Sequence, residues 1–135
     1  MEARGLAGGE TTRLRPEDRL LRRRDFQRSY REGRREHGVA AVLHAAPTTG
    51  YQGRCRLGIT ATRKVGGAVT RNRLKRQVRE VFRRSKSRPG LIGLDLVIHL
   101  KPESARLVFH DMKEDLDSLF ARMAARWATA PGRER

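Results

Sequence analysis

The sequence is poor in cysteine and in aromatic residues, and it contains no long apolar run. Cys55 is the only cysteine among 135 residues, so neither an internal disulfide nor a metal site built on several thiolates is possible. The longest apolar stretch, residues 39–46, is too short to cross a bilayer. The first thirty residues hold no apolar segment of the kind that a secretory signal requires. We therefore expect a reducing, cytoplasmic setting.

Acidic residues are also scarce beside the basic ones. Asp and Glu number 15 against 31 Lys and Arg, and the formal charge is +16. Repulsion among so many like charges does not stabilise a single domain. A polyanionic partner is therefore the simplest explanation for the excess of basic residues. Nucleic acid is the favoured partner, and an anionic membrane surface is the weaker alternative.

The apolar pattern predicts one compact α+β domain over residues 13–127, with a disordered tail at 1–12 and a frayed tail at 128–135. Helices are expected at residues 24–32, 69–84 and 106–127. Strands are expected at residues 39–45, 55–62 and 94–100, with a further short strand in 33–39 or 47–53. The first two strands are expected to form an antiparallel pair. Gly33 is expected to end the first helix in the left-handed conformation.

Residues 70–84, TRNRLKRQVREVFRR, hold seven cations and four aliphatic or aromatic residues. On a helix, the apolar residues share one arc that would pack on a sheet, and they are Leu74, Val78, Val81 and Phe82. The opposite arc is basic and comprises Asn72, Lys75, Arg76, Arg79 and Arg83. Like charges at these spacings cost about 0.2–0.5 kcal/mol per pair. A surface with only a structural role would gain nothing that offsets this repulsion. The pattern therefore predicts a phosphate-binding face.

A second candidate surface lies upstream, in an arginine-rich segment. Phe26 and Tyr30 are four residues apart and therefore share one face of the first helix. They are either core residues or a stacking platform for unpaired bases. The arginines around them favour a partly exposed position.

The sequence offers no clear catalytic site of its own. Metal-assisted phosphodiester cleavage needs acids that converge on one cleft, whereas the acids here are scattered or lie on the exposed face of the last helix. His44 and His99 lie on predicted strands and could meet as a general acid–base pair, which is an open alternative. The connection VGGAV lacks the Gly-Lys-Ser/Thr ending of a nucleotide-hydrolysing phosphate loop.

Residues 56–83, RLGITATRKVGGAVTRNRLKRQVREVFR, closely resemble the signature of the bacterial ribonuclease P protein subunit. The resemblance extends over residues 13–127. It implies an αβββαβα order and a mixed sheet with a left-handed β-α-β crossover, similar to domain 2 of ribosomal protein S5 and an exception to the usual handedness. It also implies that the chain assists a catalytic RNA subunit in removing the 5′ leader of precursor tRNA.

The resemblance also implies site residues, through matching positions of the family motif. The catalytic RNA would be contacted by a basic set, namely Arg63, Lys64, Arg71, Asn72, Arg73, Lys75, Arg76, Arg79 and Arg83. The precursor-tRNA leader would lie against Phe26 and Tyr30, with Arg22 and Arg23 beside them. Mg²⁺ would be held mainly by the RNA. We therefore expect no catalytic residue, no metal and no cofactor in the protein itself, and no membrane partner.

The strand at residues 39–45 departs from the family pattern, because it lacks the bulky aromatic residues that many members have there. The leader cleft is therefore expected to be shallower. Two other functions stay open on composition alone. One is a structural RNA-binding protein such as a ribosomal component, and the other is a stand-alone nuclease that uses His44 or His99.

Overall fold

The computed structural model describes residues 14–48 and 53–130. The helices are α1 (Arg23–Glu32), α2 (Ala68–Arg84) and α3 (Phe109–Ala128). The strands are β1 (Arg34–His37), β2 (Ala41–Pro47), β3 (Arg56–Thr60) and β4 (Leu94–Leu100). The order αβββαβα is therefore as expected, and β1 is the additional short strand. The expectations for residues 1–12 and 131–135 lie outside the described residues.

The strands form one mixed sheet in the order β1-β2-β4-β3. β2 is antiparallel to both β1 and β4, whereas β3 is parallel to β4. The expected pairing of the strands at residues 39–45 and 55–62 was wrong, because β4 lies between them. β4 is buried on both faces and takes a central position, while the polar β1 takes an edge. Helix α2 supplies the crossover that two parallel strands need, and its left-handed sense stays a prediction of the resemblance.

One face of the sheet carries the main core. Leu43 of β2, Leu57 of β3 and Ile98 of β4 are buried there in one cluster with α2 and α3. Phe82 of α2 and Phe120 of α3 pack edge to face with ring centroids 5.5 Å apart, and such pairs add about 0.5–1.5 kcal/mol beyond burial. The expected packing face of α2 is confirmed, since its four apolar residues are buried: Leu74, Val78, Val81 and Phe82.

Helix α3 begins three residues later than the expected start at residue 106. The chain first makes a separate 3₁₀ turn at Pro102–Arg106, which proline at its first position favours. Val108 then stands in the N-cap position with an extended backbone and no side-chain cap. The apolar stripe expected on this helix is confirmed by its buried residues, which are Met112, Leu116, Leu119, Phe120 and Met123.

Helix α1 packs on the opposite face of the sheet, where a buried carboxylate anchors it. Asp95 of β4 is fully buried and accepts two hydrogen bonds from Arg56 of β3, each 2.8 Å long. Arg28 of α1 donates to the same carboxylate, and so does the Thr48 hydroxyl. A buried charge is costly unless it is paired. These partners therefore fix α1 in one position over the sheet.

Gly33 joins α1 to β1, and the expected left-handed conformation was wrong. Its φ of −81° and ψ of 164° are extended backbone. A Cβ at this position would lie 2.3 Å from the carbonyl oxygen of Ser29 and 2.6 Å from that of Ala45. Glycine is needed here because two backbone segments approach closely, and not because of its dihedral angles.

Candidate nucleic-acid interface

Helix α2 turns an arc of cations away from the core. Arg76 and Asn72 are exposed, and four more cations of this helix are partly exposed: Arg71, Arg73, Lys75 and Arg79. Within residues 14–48 and 53–130, none of these five cations takes part in an ion pair. We call the five side chains together with Asn72 the cationic face. Its charge is therefore available to an external anion.

Glu80 neutralises only the carboxyl-terminal end of this helix. Its carboxylate lies 2.9 Å from Arg83 and 2.6 Å from Arg84. Arg83 was assigned to the RNA-contacting set from its place on the basic arc of the helix, and the structure holds its guanidinium on Glu80. The phosphate-binding capacity of α2 is therefore concentrated in its first three turns.

The cations of the face raise one another's electrostatic energy. Burial, followed by the nearby charges of Arg19 and Arg76, lowers the pKa of Arg79. A lowered arginine pKa is the result expected where like charges meet and no acid compensates them. An anion that enters this region would relieve the repulsion, which makes the site favourable for phosphate.

The entry to α2 adds further donors for an anion. Gly67 occupies the N-cap position with no side-chain cap, and Gly66 before it has a φ of +155° that side-chain-bearing residues rarely adopt. The first amides of α2 therefore keep their capacity to donate to a phosphate. Arg63 and Lys64 are exposed in the turn just before these glycines. The basic pair and the cationic face thus flank one helix N-terminus.

The aromatic pair of α1 lies over the same face of the sheet that Asp95 occupies. Phe26 is half-buried against Gly58 of β3, where a Cβ would lie 2.4 Å from the Phe26 ring. Tyr30 is 36% exposed, and its hydroxyl lies 2.8 Å from the Thr60 Oγ1 and 2.9 Å from the His99 Nδ1. The pair is therefore neither core nor fully solvated. Phe26 lies against β3, and the Tyr30 hydroxyl reaches residues of both β3 and β4.

His44 and His99, which the sequence suggested could meet, both lie beside the Tyr30 ring. The Tyr30 ring lies 4.5 Å from the ring of His44 and 5.9 Å from that of His99, measured between centroids. Burial, then the charges of His99, Arg35 and His37, lowers the pKa of His44 to about 4. Burial also raises the pKa of Tyr30, and the hydrogen bond between Tyr30 and Thr60 acts in the opposite direction. His44 is thus neutral at physiological pH.

Arg22 and Arg23, the other residues assigned to the leader by resemblance, are both exposed at the start of α1. Arg28, one turn further on, donates to Asp95 and to the carbonyl oxygen of Pro47. The arginines of α1 therefore divide into two kinds. Arg22 and Arg23 face solvent beside Phe26, whereas Arg28 holds the helix to the sheet.

Several acids of the described residues serve as structural partners. Asp115 was expected on the exposed face of α3, which was wrong, because it is partly buried and accepts from the amides of Val39 and Ala40 at 2.9 and 2.8 Å. Glu36 lies 3.2 Å from Arg122 and 2.7 Å from Arg126. Sequence reasoning missed these pairings because they join residues more than seventy positions apart.

Only one group in the described part of the chain brings three possible metal ligands together. It consists of His110, Asp111 and Glu114 on the first turns of α3, all of them exposed. Mg²⁺ prefers an octahedron of oxygen ligands, and a solvated set that includes an imidazole does not supply one. Among the described helices, none has the length and apolar content needed to cross a bilayer.

Comparisons with known proteins agree on one family. The family model described as Ribonuclease P matches residues 14–124. The ribonuclease P protein component of Thermotoga maritima is 39% identical over 113 residues, which are 78% of this chain and 92% of the relative. That of Citrifermentans bemidjiense is 33% identical over 111 residues, which are 82% of this chain and 92% of the relative.

Solved structures lead to the same group. The ribonuclease P protein of T. maritima superposes with a TM-score of 0.67 at 36% identity, covering 77% of this chain and 96% of that protein. The Staphylococcus aureus protein gives a TM-score of 0.71 at 24% identity, covering 78% of this chain and 94% of that one. The second comparison supports the fold alone.

Proposed function

The chain belongs to the ribonuclease P protein family, and from that premise we propose that it is the RNA-binding protein subunit of ribonuclease P. In this role it assists a catalytic RNA in removing the 5′ leader from precursor tRNA. The observation that carries the proposal is the cationic face of α2, whose arginines and lysine have no ion-pair partner among the described residues. A polyanion is the partner that such a face fits.

The catalytic RNA binds at the cationic face and at the entry to α2. Arginine guanidinium groups hold phosphate oxygens in pairs, and the exposed Arg63 and Lys64 extend the contact beyond the helix. Arg83 contributes less than the others, because Glu80 already occupies its guanidinium.

The leader of precursor tRNA binds beside α1. Phe26 and Tyr30 both present part of their ring surface to solvent. Arg22 and Arg23 are exposed at the start of the same helix. Bases of a single strand stack on such rings whatever their sequence. Strand β2 lacks the bulky aromatic residues that the resemblance leads one to expect there, so the leader gains less stacking from β2.

Cleavage itself belongs to the RNA. The acids of the cleft region are engaged, since Asp25 and Asp95 both lie beside Arg56. We therefore assign the Mg²⁺ ions that support phosphodiester hydrolysis to RNA ligands and assign binding and orientation to the protein. A cytoplasmic location is part of the same proposal.

The test is cleavage of precursor tRNA by the cognate RNA subunit, with and without this chain. We expect faster cleavage in its presence and none by the protein alone. The variant Lys75→Gln/Arg79→Gln should bind the RNA subunit more weakly, with a salt slope smaller by about 0.7–0.9 for each lost phosphate contact.

Lys113→Gln is the matched control, because Lys113 is paired with Asp117 on α3 and lies outside the cationic face. It should leave the slope unchanged. Equal slopes for both variants, or cleavage by the protein without RNA, would refute the proposal. Tight RNA binding without stimulation of cleavage would instead favour a structural RNA-binding protein.

A further inference from the structure

A cavity of about 280 Å³ opens between α2 and the beginning of α3. Its lining comprises Arg73, Arg76, Gln77, Glu80 and Phe109. Three of the α2 residues, Arg73, Arg76 and Glu80, follow one another at three- and four-residue steps and so share one side of the helix. The cavity therefore adjoins the cationic face and is separate from the aromatic pair of α1.

Phe109 is the unusual member of this lining. It is 42% exposed, although the apolar residues that follow it on the same helix, Met112 and Leu116, are fully buried. Phe109 does not belong to the described core cluster or to the partly buried residues that pack against it. A single exposed apolar residue needs no explanation by itself, but this one lines a mainly apolar cavity together with charged and amide side chains of α2.

The cavity surface is mostly apolar, but the α2 side chains that line it end in polar groups. Arg73 and Arg76 have no ion-pair partner within the described ranges, so their guanidinium groups are available. The Gln77 Oε1 is buried and has no hydrogen-bond partner among those same residues. An apolar occupant would leave the buried Gln77 Oε1 without a partner and would make no use of the two guanidinium groups.

A nucleobase fits this combination. It is planar, it stacks on an aromatic ring, and its edge carries donors and acceptors. The phosphates on either side of it would reach Arg73 and Arg76. A base that is paired in a helix cannot enter a cavity, so the occupant has to be unpaired.

We propose that this cavity receives one unpaired nucleobase of the RNA that α2 binds, with Phe109 stacking on the base and Arg73 and Arg76 holding its neighbouring phosphates. The proposal rests on the proposed function, and it adds a base-binding site to a surface otherwise assigned to phosphates. It predicts that part of the affinity for the RNA subunit is independent of salt.

The test compares the binding of Phe109→Ala and Phe109→Tyr to the RNA subunit over a range of salt concentrations. Loss of one stacked base should weaken binding by Phe109→Ala about 5- to 150-fold. Its salt slope should equal that of the unmodified protein, because no phosphate contact is removed. Phe109→Tyr keeps the ring and should bind within about threefold of the unmodified protein.

Ile92→Ala is the matched control, because Ile92 is 44% exposed and lies beside Trp127 at the other end of α3. It should bind normally. A photo-crosslinking phenylalanine analogue placed at position 109 should label one unpaired nucleotide of the RNA subunit. Excess nucleoside monophosphates should not reduce this labelling of the RNA. If they do, the cavity binds free nucleotides instead of a base of the RNA strand, and the proposal is wrong.

Unchanged affinity in Phe109→Ala would overturn the base site, and so would an equal loss in Phe109→Tyr. These results leave the proposed function standing as long as Lys75→Gln/Arg79→Gln still reduces the salt slope, since neither residue lines the cavity. Unchanged slopes in that double variant would refute the proposed function itself. Thermal melting of each variant separates lost binding from lost folding.

Discussion

Acid should destabilise this protein through His44, and the size of the effect follows from its surroundings. His44 is 8% exposed and packs against Tyr30, and the charged groups that face it are His99, Arg35 and His37. Burial and these groups lower its pKa from 6.5 to about 4. Folding therefore favours the neutral imidazole over the protonated one.

The sign and the pH window follow from this direction. The unfolded chain binds a proton near pH 6.5, whereas the folded protein does so only near pH 4. The stabilisation is complete above pH 6.5, is lost as the pH falls from 6.5 to 4, and does not change further below that. A difference of this size corresponds to about 3 kcal/mol in the free energy of unfolding.

The assay is urea unfolding at several pH values between 7.5 and 4, on the unmodified protein and on His44→Gln. Carboxylates contribute to acid sensitivity in both proteins, so the difference between the two curves isolates His44. The unmodified protein should lose about 3 kcal/mol more than the variant over this window. Parallel curves, or a His44 imidazole that titrates near 6.5 by NMR, would refute the reasoning.

Other changes test the two surfaces and the anchor of α1. Arg73→Ala or Arg76→Ala should each flatten the salt dependence of RNA-subunit binding by about 0.7–0.9 in log–log slope, and an unchanged slope would argue against phosphate contacts. Phe26→Ala should weaken binding of leader-containing tRNA by about 1–3 kcal/mol relative to mature tRNA; equal losses with a lower melting temperature would identify a core role. Asp95→Asn should reduce the free energy of unfolding by about 3–5 kcal/mol, measured in urea, and a loss below 1 kcal/mol would contradict its anchoring role.

Local spacing was enough to predict helix α2 and its two faces. The apolar residues of α2 recur with the helical period, so their burial follows from the sequence, and the cations are left on the opposite arc. The same holds for α3, whose buried stripe was expected. Only the start of α3 differed from the expected one, because residues before Phe109 form a separate 3₁₀ turn at Pro102–Arg106.

Contacts between distant residues could not be predicted in the same way. The order of the strands along the chain does not indicate that β4 lies between β2 and β3 in the sheet. That position depends on which strand is apolar on both faces. Asp95 and Asp115 looked like ordinary acids, yet one binds arginines from two other elements and the other binds the amides of residues 39 and 40. Gly33 was placed correctly at a helix end but for the wrong reason, since it is needed where the backbones of α1 and β2 approach closely.

The two proposed RNA surfaces are joined by the segment that precedes α1. Arg19 pairs through its backbone with Leu57 at the free edge of β3, and its charge contributes to the lowered pKa of Arg79 on α2. Arg19 therefore links the two surfaces, since its charge reaches Arg79 on α2 and Arg22 follows it three residues later. A catalytic RNA bound at α2 and a leader bound beside Phe26 would lie along one basic path. On the proposed function, this arrangement would hold the catalytic RNA and its substrate in a fixed relation.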